Sequence, residues 1–450
     1  MRLKATFHRA ATHTALLTLA LTPMWWRHAL APPSFSATYP LGFVIFVPAA
    51  ATILLWGASG CDGLGQLFRH AWPRRWTVMV CLLAMWVMLS PLWAFMRASR
   101  PAVSVGAALQ LFTALMFALV ITALQPPRRQ IMWVLVSIIA LHALVGGVQV
   151  ILQQDIGLGI IGEFNLEPEV GGTSVVQSGE TRWLRPYGLL PHPNIYAGFL
   201  VVGLSLSAGL LFAENGWRFW LALAIFTLML WMLFMTFSRA AWLGFIASGV
   251  LFSLLTGRYI VAATATRRRI IGLISVAVLL GITFLGLFRP FIFARAGVGT
   301  EYTEVRSIND RIVYNEIAIE AIREFPVWGV GAGNFPWYAS HYLFYVAHSE
   351  YKGDNVHNIY LTVQSELGAI GSLLAIIGVV TLPALTWQPR TTEPQWEHAA
   401  FLCSIAALLV IGIFDHYPWT IFHFQLLLWT LAGSTVTRQL PQRVAASSAD

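Results

Sequence analysis

Two arginines and one histidine occur in short polar motifs that interrupt a very apolar chain. Arg185 opens the motif Arg-Pro-Tyr-Gly, Arg239 follows a serine, and His357 precedes an asparagine. Arginine presents a permanently charged fork of donors that suits phosphate groups. Histidine has a pKa near neutrality and can take a proton from a hydroxyl group. Brought together, these residue types would bind a diphosphate and activate a hydroxyl.

Each motif also has a purely structural interpretation. Arg185 can anchor the chain at a membrane surface, and Pro193 and Asn194, which follow His192, can start a helix. A single arginine at a helix end, such as Arg239, is a common anchor. A lone histidine is more often a hydrogen-bonded core residue than a catalyst. The functional interpretation therefore depends on the three motifs lying on the same side of a membrane.

The elements that must position these residues are membrane helices. Of the 450 residues, 57% are hydrophobic and 11% are charged, against roughly a quarter charged in an average soluble domain. This composition excludes a soluble enzyme. Because one crossing needs about 20 apolar residues, the chain is predicted to be an all-α polytopic membrane protein with about 12 transmembrane helices in one domain, 1–450. The predicted segments are 12–31, 41–57, 76–96, 103–124, 130–153, 194–213, 217–237, 239–256, 270–288, 358–386, 397–414 and 418–436.

The basic residues predict the orientation of these helices. If both termini are cytoplasmic, the three densest arginine clusters lie inside, as the positive-inside rule requires. The formal charge of +8 is then explained by topology, and no nucleic-acid partner is needed. The three polar motifs fall on the outer side. The clusters are Arg74-Arg75, Arg128-Arg129 and Arg267-Arg268-Arg269.

Two outer segments are longer than ordinary connections, which favours a functional role. The first, 154–193, contains two β-prone runs around Ser178-Gly179 and is predicted to form a hairpin. The second, 289–356, lies between the ninth and tenth predicted helices. It contains an amphipathic pattern that begins with a possible capping box, Ser307 to Asp310. This pattern predicts a helix that ends at Pro326 and either lies against the outer membrane face or covers the helix bundle.

The ordered set of outer motifs resembles the O-antigen ligase and O-antigen polymerase superfamily. The set runs from Arg185-x-x-Gly188 through His-Pro-Asn, Ser-Arg and Asn-Asp-Arg to the glycine-rich segment 329–333. It ends with His357-Asn358, nine residues and Gly368-x-x-Gly371. The deep glycines would let another backbone pack closely, and we interpret 329–333 as a turn. The resemblance covers roughly 185–371, and the twelve-helix layout extends it to the whole chain.

The resemblance implies a membrane glycosyltransferase of the C-type architecture. Such enzymes move a glycan from undecaprenyl diphosphate to an acceptor hydroxyl on the periplasmic or external side. Arg185 and Arg239 would hold the diphosphate leaving group, and His357 would be the base or would position the acceptor. Asn358 would orient that histidine or bind sugar. The enzyme would lie in the bacterial inner membrane, among membrane lipids.

The remaining site residues carried over by the resemblance are assigned to substrate binding. His192 and Asn194 stand at the mouth of the sixth helix. Asp310 and Arg311 match the Asn-Asp-Arg element of the long loop, and the alternative for them is a capping carboxylate paired with an arginine. Asp415-His416, in the last outer connection, can line the same cavity, and their role stays open.

The sequence also favours a reaction without metal or cofactor. The first outer loop, 31–40, has no acidic residue, and no Asp-x-Asp pair occurs in the chain. The three cysteines are scattered, which argues against a metal knuckle. Fixed cationic donors must then neutralise the departing diphosphate.

Several alternatives remain at this level. The acceptor could be lipid A core, as for a ligase, a second glycan repeat, as for a polymerase, or a protein hydroxyl. A different class, a flippase for lipid-linked sugars, should carry charged residues deep within many helices, whereas the candidate residues here gather on one face.

Overall fold

The computed structural model is mostly helical. It describes residues 2–27, 42–95, 101–295, 302–345, 353–389, 391 and 393–437. The first outer loop, 31–40, lies outside the described residues. The helices are α1 Arg2–Leu21, α2 Phe46–Ala58, α3 Leu64–Arg69, α4 Ala71–Phe95, α5 Pro101–Leu124, α6 Arg128–Leu152, α7 Pro193–Ala213, α8 Trp217–Met235, α9 Arg239–Ala262, α10 Thr264–Arg295, α11 Tyr302–Glu324, α12 Phe335–Tyr345, α13 Ile359–Ile376, α14 Leu382–Leu385, α15 Trp396–Ile411, α16 Tyr417–Thr420 and α17 Phe422–Val436.

Among the described residues, eight helices are long and apolar enough to cross a membrane. They fit a polytopic all-α membrane protein, although the count of twelve crossings is not reached. Helical structure is present at all twelve predicted segments. Four helices at predicted segments are not among the eight. Helices α2, α15 and α17 are too short, with α17 having 15 residues, and α1 carries basic residues in its first half. The eight are Ala71–Ala94, Ala102–Leu124, Arg128–Leu152, Pro193–Ala213, Trp217–Met235, Arg239–Ala262, Thr264–Ala294 and Ile359–Leu385.

Helix α7 occupies the centre of the bundle. Almost all of its side chains are buried, and it packs against α6, α8, α9 and α15. Small residues allow these close approaches: a Cβ added at Gly209 would lie 2.6 Å from the Cβ of Ala400 on α15. In contrast, α10 lies at the periphery and buries few of its residues. Its backbone is kinked at Phe288, shortly before Pro290, which cannot continue the helical hydrogen bonds.

The segment between α6 and α7 carries the small sheet of the protein. Strand β1, Val175–Ser178, pairs antiparallel with strand β2, Thr181–Leu184. The turn between them contains Gly179, whose φ is +61°. The hairpin lies within 154–193, where the sequence predicts one, and β1 packs against α10. Arg185 is the residue that directly follows β2.

The long segment between α10 and α13 contains two helices. Helix α11 begins at Tyr302, five residues before the start that the possible capping box predicted. Helix α12 follows the glycine-rich turn and was not predicted. Both helices pack together and on α13 through a small apolar core. This core comprises Tyr314, Ile317, Ala318, Phe335, Ala339, Leu343 and Val356.

Helix α13 is interrupted at Gly368, where φ is +64°. The backbone of the glycine-rich turn packs into this interruption: the N–H groups of Val330 and Gly331 donate to the carbonyl oxygens of Ser365 and Glu366 at 2.8 and 2.9 Å. A Cβ at Gly368 would lie 2.1 Å from the carbonyl oxygen of Val327. The prediction that a deep glycine admits another backbone is thus confirmed.

Candidate active site

Arg185 is the most enclosed of the candidate residues, with 3% of its surface exposed. Its Nε donates to the carbonyl oxygen of Thr236 at 2.6 Å, Nη1 donates to Ser174 Oγ at 2.7 Å, and Nη2 donates to Asn194 Oδ1 at 2.7 Å. These partners belong to the segment before β1, the start of α7 and the turn between α8 and α9. One guanidinium therefore fixes the relative positions of three elements.

The start of α7 presents two of the predicted site residues. His192 is the N-cap, and its Nδ1 accepts a hydrogen bond from the backbone N–H of Asn194 at 3.1 Å. Pro193 occupies the first helical position, where its missing N–H is tolerated. Because His192 is the N-cap, the side chain of Asn194 can make another contact: its Nδ2 donates a hydrogen bond to Asp415 Oδ2 at 3.2 Å. Asn194 thus connects Arg185 with Asp415.

Asp415 lies between α15 and α16 and is 6% exposed. Its Oδ1 accepts a hydrogen bond from the backbone N–H of His416 at 2.9 Å. The same connection is joined to the start of α13, because the N–H of Ile359 donates to the carbonyl oxygen of Gly412 at 2.7 Å. The last outer connection is thereby held beside His357.

The rings of His357 and His416 meet edge to face, with centroids 5.2 Å apart and an interplanar angle of 83°. His416 Nδ1 lies 2.7 Å from Thr420 Oγ1, whereas the buried Nδ1 of His357 has no hydrogen-bond partner. Burial lowers the pKa of His416; the charge of Asp415 opposes this effect and His357 adds to it. We call His357, Asp415 and His416 the histidine cluster. In it, the ring of His416 is fixed by a hydrogen bond and burial favours its neutral form, whereas Nδ1 of His357 has no hydrogen-bond partner.

Asn358 caps α13. Its Oδ1 accepts hydrogen bonds from the N–H groups of Tyr360 and Leu361 at 2.9 and 3.2 Å. Because this cap fixes the first turn of α13, it also fixes the backbone on which His357 stands. The contacts shown for this side chain are thus those of a helix cap, and its predicted role in sugar binding stays a prediction.

Arg239 differs from Arg185 because its side chain is exposed. It is the first residue of α9, three residues after the Thr236 carbonyl that holds Arg185. Helices α9 and α15 run antiparallel in close contact, and a Cβ added at Gly244 would lie 2.9 Å from Ile411. The N-terminal end of α9 therefore lies beside the connection that carries Asp415.

Asp310 and Arg311 lie on α11. The Nε of Arg311 is buried without a hydrogen-bond partner, as is Oδ1 of Asn315 one turn later. Helix α11 packs on α13, and its apolar core includes Val356, the residue before His357. The structure therefore places this helix next to the segment that carries His357.

Asp415 and His416 are the residues whose importance the sequence left open. The signal was present, because a carboxylate and a histidine adjoin the predicted outer ends of two apolar helices, where ionisable groups are commonly functional. The part played by the Thr236 carbonyl had no such signal, since any residue supplies a carbonyl oxygen. A second omission is Glu366, a carboxylate in α13 that is 4% exposed and accepts a hydrogen bond from the N–H of Phe335.

The arrangement brings five of the named residues together at the N-terminal ends of α7 and α13 and the C-terminal end of α15, with Asp415 joined to His416 through the backbone N–H of His416. A buried cation, an amide, a carboxylate and two imidazoles follow one another by contacts. Such a network can hold one imidazole in a fixed orientation and let it accept a proton. An exposed arginine at the adjacent helix start can meet an anionic group. The network comprises Arg185, Asn194, Asp415, His416 and His357.

Part of the chain matches a known protein family. Residues 224–376 match a family model described as O-antigen ligase. The matched segment contains Arg239, Arg311, His357 and the interrupted helix α13, whereas Arg185, Asn194 and Asp415 lie outside it. No curated protein matches the chain. The match at residues 224–376 supports the resemblance to the O-antigen ligase and polymerase superfamily that the order of the motifs indicated.

Proposed function

We propose that this protein is a membrane glycosyltransferase that moves a glycan from undecaprenyl diphosphate to an acceptor hydroxyl without a metal ion. The site would face the periplasm or exterior of a bacterial inner membrane, with both termini cytoplasmic. The observation that carries the proposal is the ring contact of His357, which lies within the segment that matches the O-antigen ligase family, with His416, the neighbour of Asp415.

In the proposed reaction, the acceptor oxygen attacks the anomeric carbon of the donor glycan. The bond between that carbon and the diphosphate oxygen breaks, and the hydroxyl proton passes to His357. The unpartnered Nδ1 of His357 supports this role, because a base needs a nitrogen that is not already occupied by a hydrogen bond.

The leaving diphosphate would be met by Arg239. This arginine is exposed, and it stands at the N-terminus of α9, where the backbone N–H groups also favour an anion. A lost arginine contact would raise the barrier by about 2–4 kcal/mol, by analogy with the loss of one oxyanion donor. Fixed cationic donors of this kind take the place that a divalent cation has in metal-dependent transferases.

Arg185 would act differently from Arg239. Its burial and its three hydrogen bonds to protein oxygens favour a positioning role over the direct diphosphate contact that the resemblance implies. It holds Asn194, which in turn holds Asp415 beside the two histidines. Asp415 would stabilise the positive charge that develops on the imidazole pair when His357 takes the proton.

Transfer by the purified protein in nanodiscs tests the proposal. The donor is an undecaprenyl diphosphate oligosaccharide, in excess chelator, and three acceptors are offered in parallel: lipid A core, a second lipid-linked unit and a serine-rich peptide. A product on one of them supports the transferase and identifies the acceptor. Absence of any product, together with movement of labelled donor lipid across proteoliposomes, would replace the transferase by a flippase. Activity that needs added magnesium would overturn the metal-free mechanism.

A further inference from the structure

The histidine cluster has a second chemical property besides basicity. Among the described residues, His357, Asp415 and His416 each offer one donor atom, and the three atoms lie within 4.8 Å of one another. The group combines two imidazole nitrogens with one carboxylate oxygen. It is predicted to lie on the outer side of the membrane and is partly buried.

Two imidazoles and one carboxylate form a ligand set that suits zinc and related transition ions. Hard cations such as Mg²⁺ prefer oxygen ligands. Three protein ligands leave a fourth position open to water, as in zinc sites of the open type. Donors around tetrahedral zinc lie about 3.4 Å apart for bonds of about 2.1 Å. The three donor atoms, which lie within 4.8 Å of one another, therefore have to approach by at most about 1.4 Å to bind zinc.

The groups around the cluster already hold two of the three donors. Thr420 Oγ1 engages His416 Nδ1 at 2.7 Å, which directs the other ring nitrogen away from the threonine. Asn194 Nδ2 engages Asp415 Oδ2 at 3.2 Å. Outer partners of this kind orient metal ligands and strengthen binding. On the third side chain, His357, the buried Nδ1 has no hydrogen-bond partner.

We propose that His357, Asp415 and His416 bind Zn²⁺ on the outer face and that bound Zn²⁺ inhibits glycan transfer. Zinc would occupy the imidazole nitrogen that must accept the hydroxyl proton, so metal binding and catalysis exclude each other. The binding part stands on the geometry of the cluster. The inhibition part rests on the proposed function.

Metal binding is measured first, without any activity assay. The full-length protein in nanodiscs is stripped with chelator and titrated with Co²⁺, whose visible absorption reports tetrahedral coordination, and Zn²⁺ is then used to displace it. We expect one ion per chain, and affinity at least about tenfold weaker in His416→Ala and in Asp415→Asn. His341→Ala, which removes an exposed histidine of α12, should bind as the wild type does. Equal Co²⁺ binding in wild type and His416→Ala, or no binding at all, would overturn the site.

Folding of the variants is checked by size-exclusion chromatography. If His416→Ala does not fold, the metal site is tested by thermal unfolding of the wild type alone. A specific site predicts that Zn²⁺ raises the thermal unfolding midpoint and that Mg²⁺ at the same concentration does not. Equal effects of the two ions would contradict it.

Inhibition is measured second. Zn²⁺ should abolish transfer, chelator should restore it, and His341→Ala should show the same half-inhibiting concentration as wild type. Undiminished transfer at a Zn²⁺ concentration that saturates the Co²⁺-competition assay would overturn the inhibition. Failure of the proposed function looks different: no transfer would be seen in chelator either, while zinc binding would persist.

Discussion

Asn194 donates a hydrogen bond from Nδ2 to Oδ2 of Asp415 across 3.2 Å, although 221 residues separate them in the sequence. The same amide accepts a hydrogen bond from Arg185. A buried cation and a buried carboxylate are thereby linked through a neutral side chain. Because a buried charge without a partner is costly, this linkage explains how both groups are retained at the N-terminal end of α7.

Removal of the Asn194 amide should uncouple the two ions. We expect Asn194→Ala to lower kcat/KM for transfer by roughly 10- to 100-fold, since a hydrogen bond to a charged group contributes about 1.5–3 kcal/mol. Asn194→Asp should be more damaging, because it places a second carboxylate against Asp415. Asn165→Ala, in the exposed part of the outer segment, is the matched control. Wild-type kinetics in both Asn194 variants would contradict the linkage.

The two arginines should respond differently to substitution by lysine. Arg185→Lys should lower the unfolding midpoint, because one ammonium cannot replace three hydrogen bonds to buried acceptors, each worth about 1–3 kcal/mol when left unmade. Arg239→Lys should leave stability within about 0.5 kcal/mol and weaken binding of the lipid diphosphate. Thermal unfolding and native mass spectrometry with the donor lipid separate the two effects. The reverse pattern would exchange the roles proposed for these residues.

Gly368→Ala should destabilise the protein. The new methyl group would lie 2.1 Å from the Val327 carbonyl oxygen at a φ of +64°, a conformation that costs on the order of 1–3 kcal/mol for a residue with a side chain. The unfolding midpoint in detergent measures the loss. Gly249→Ala has nothing within 4 Å of its added atom and should be unchanged or more stable. A normal midpoint for Gly368→Ala would mean that the turn at 329–333 does not pack into α13.

Acidification should reveal the burial of His416. Burial lowers its pKa in the folded protein below the value of about 6.5 expected in the unfolded chain. As the pH falls through about 6.5, the unfolded chain takes up this proton first, so the stability contributed by neutral His416 is lost. The unfolding midpoint of His416→Gln should therefore fall less between pH 7 and pH 5 than that of wild type. His341→Gln should follow the wild type, and parallel curves for wild type and His416→Gln would contradict the assignment.

The helices of this protein were largely predictable because membrane crossings leave a strong signal in the sequence. The starts of α7 at Pro193 and of α9 at Arg239 were predicted to within one residue. A proline or a charged residue separates consecutive apolar runs at these positions and so marks where the next helix begins. The start of α1 was missed by ten residues, because its first turns carry Arg2, Lys4 and Arg9. An apolar pattern predicts the part of a helix inside a membrane, but it does not predict how far the helix continues into polar sequence.

The site was only partly predictable. Individual residue types pointed to His357 and Arg239, and the order of motifs pointed to the family. Whether an arginine meets substrate or protein depends on tertiary contacts, so the burial of Arg185 was not foreseeable. The pairing of Asp415 with Asn194 depends on the packing of α7 beside α15, which no local pattern encodes.

The most direct test of the central claim is the transfer rate of His357→Ala beside that of His341→Ala. Both are measured on folded protein in nanodiscs, with the acceptor that the wild type uses. We predict a fall of about 10²- to 10⁴-fold for His357→Ala, the range associated with loss of a general base, and a normal rate for His341→Ala. Transfer by His357→Ala at the wild-type rate would contradict the account and return this histidine to a structural role.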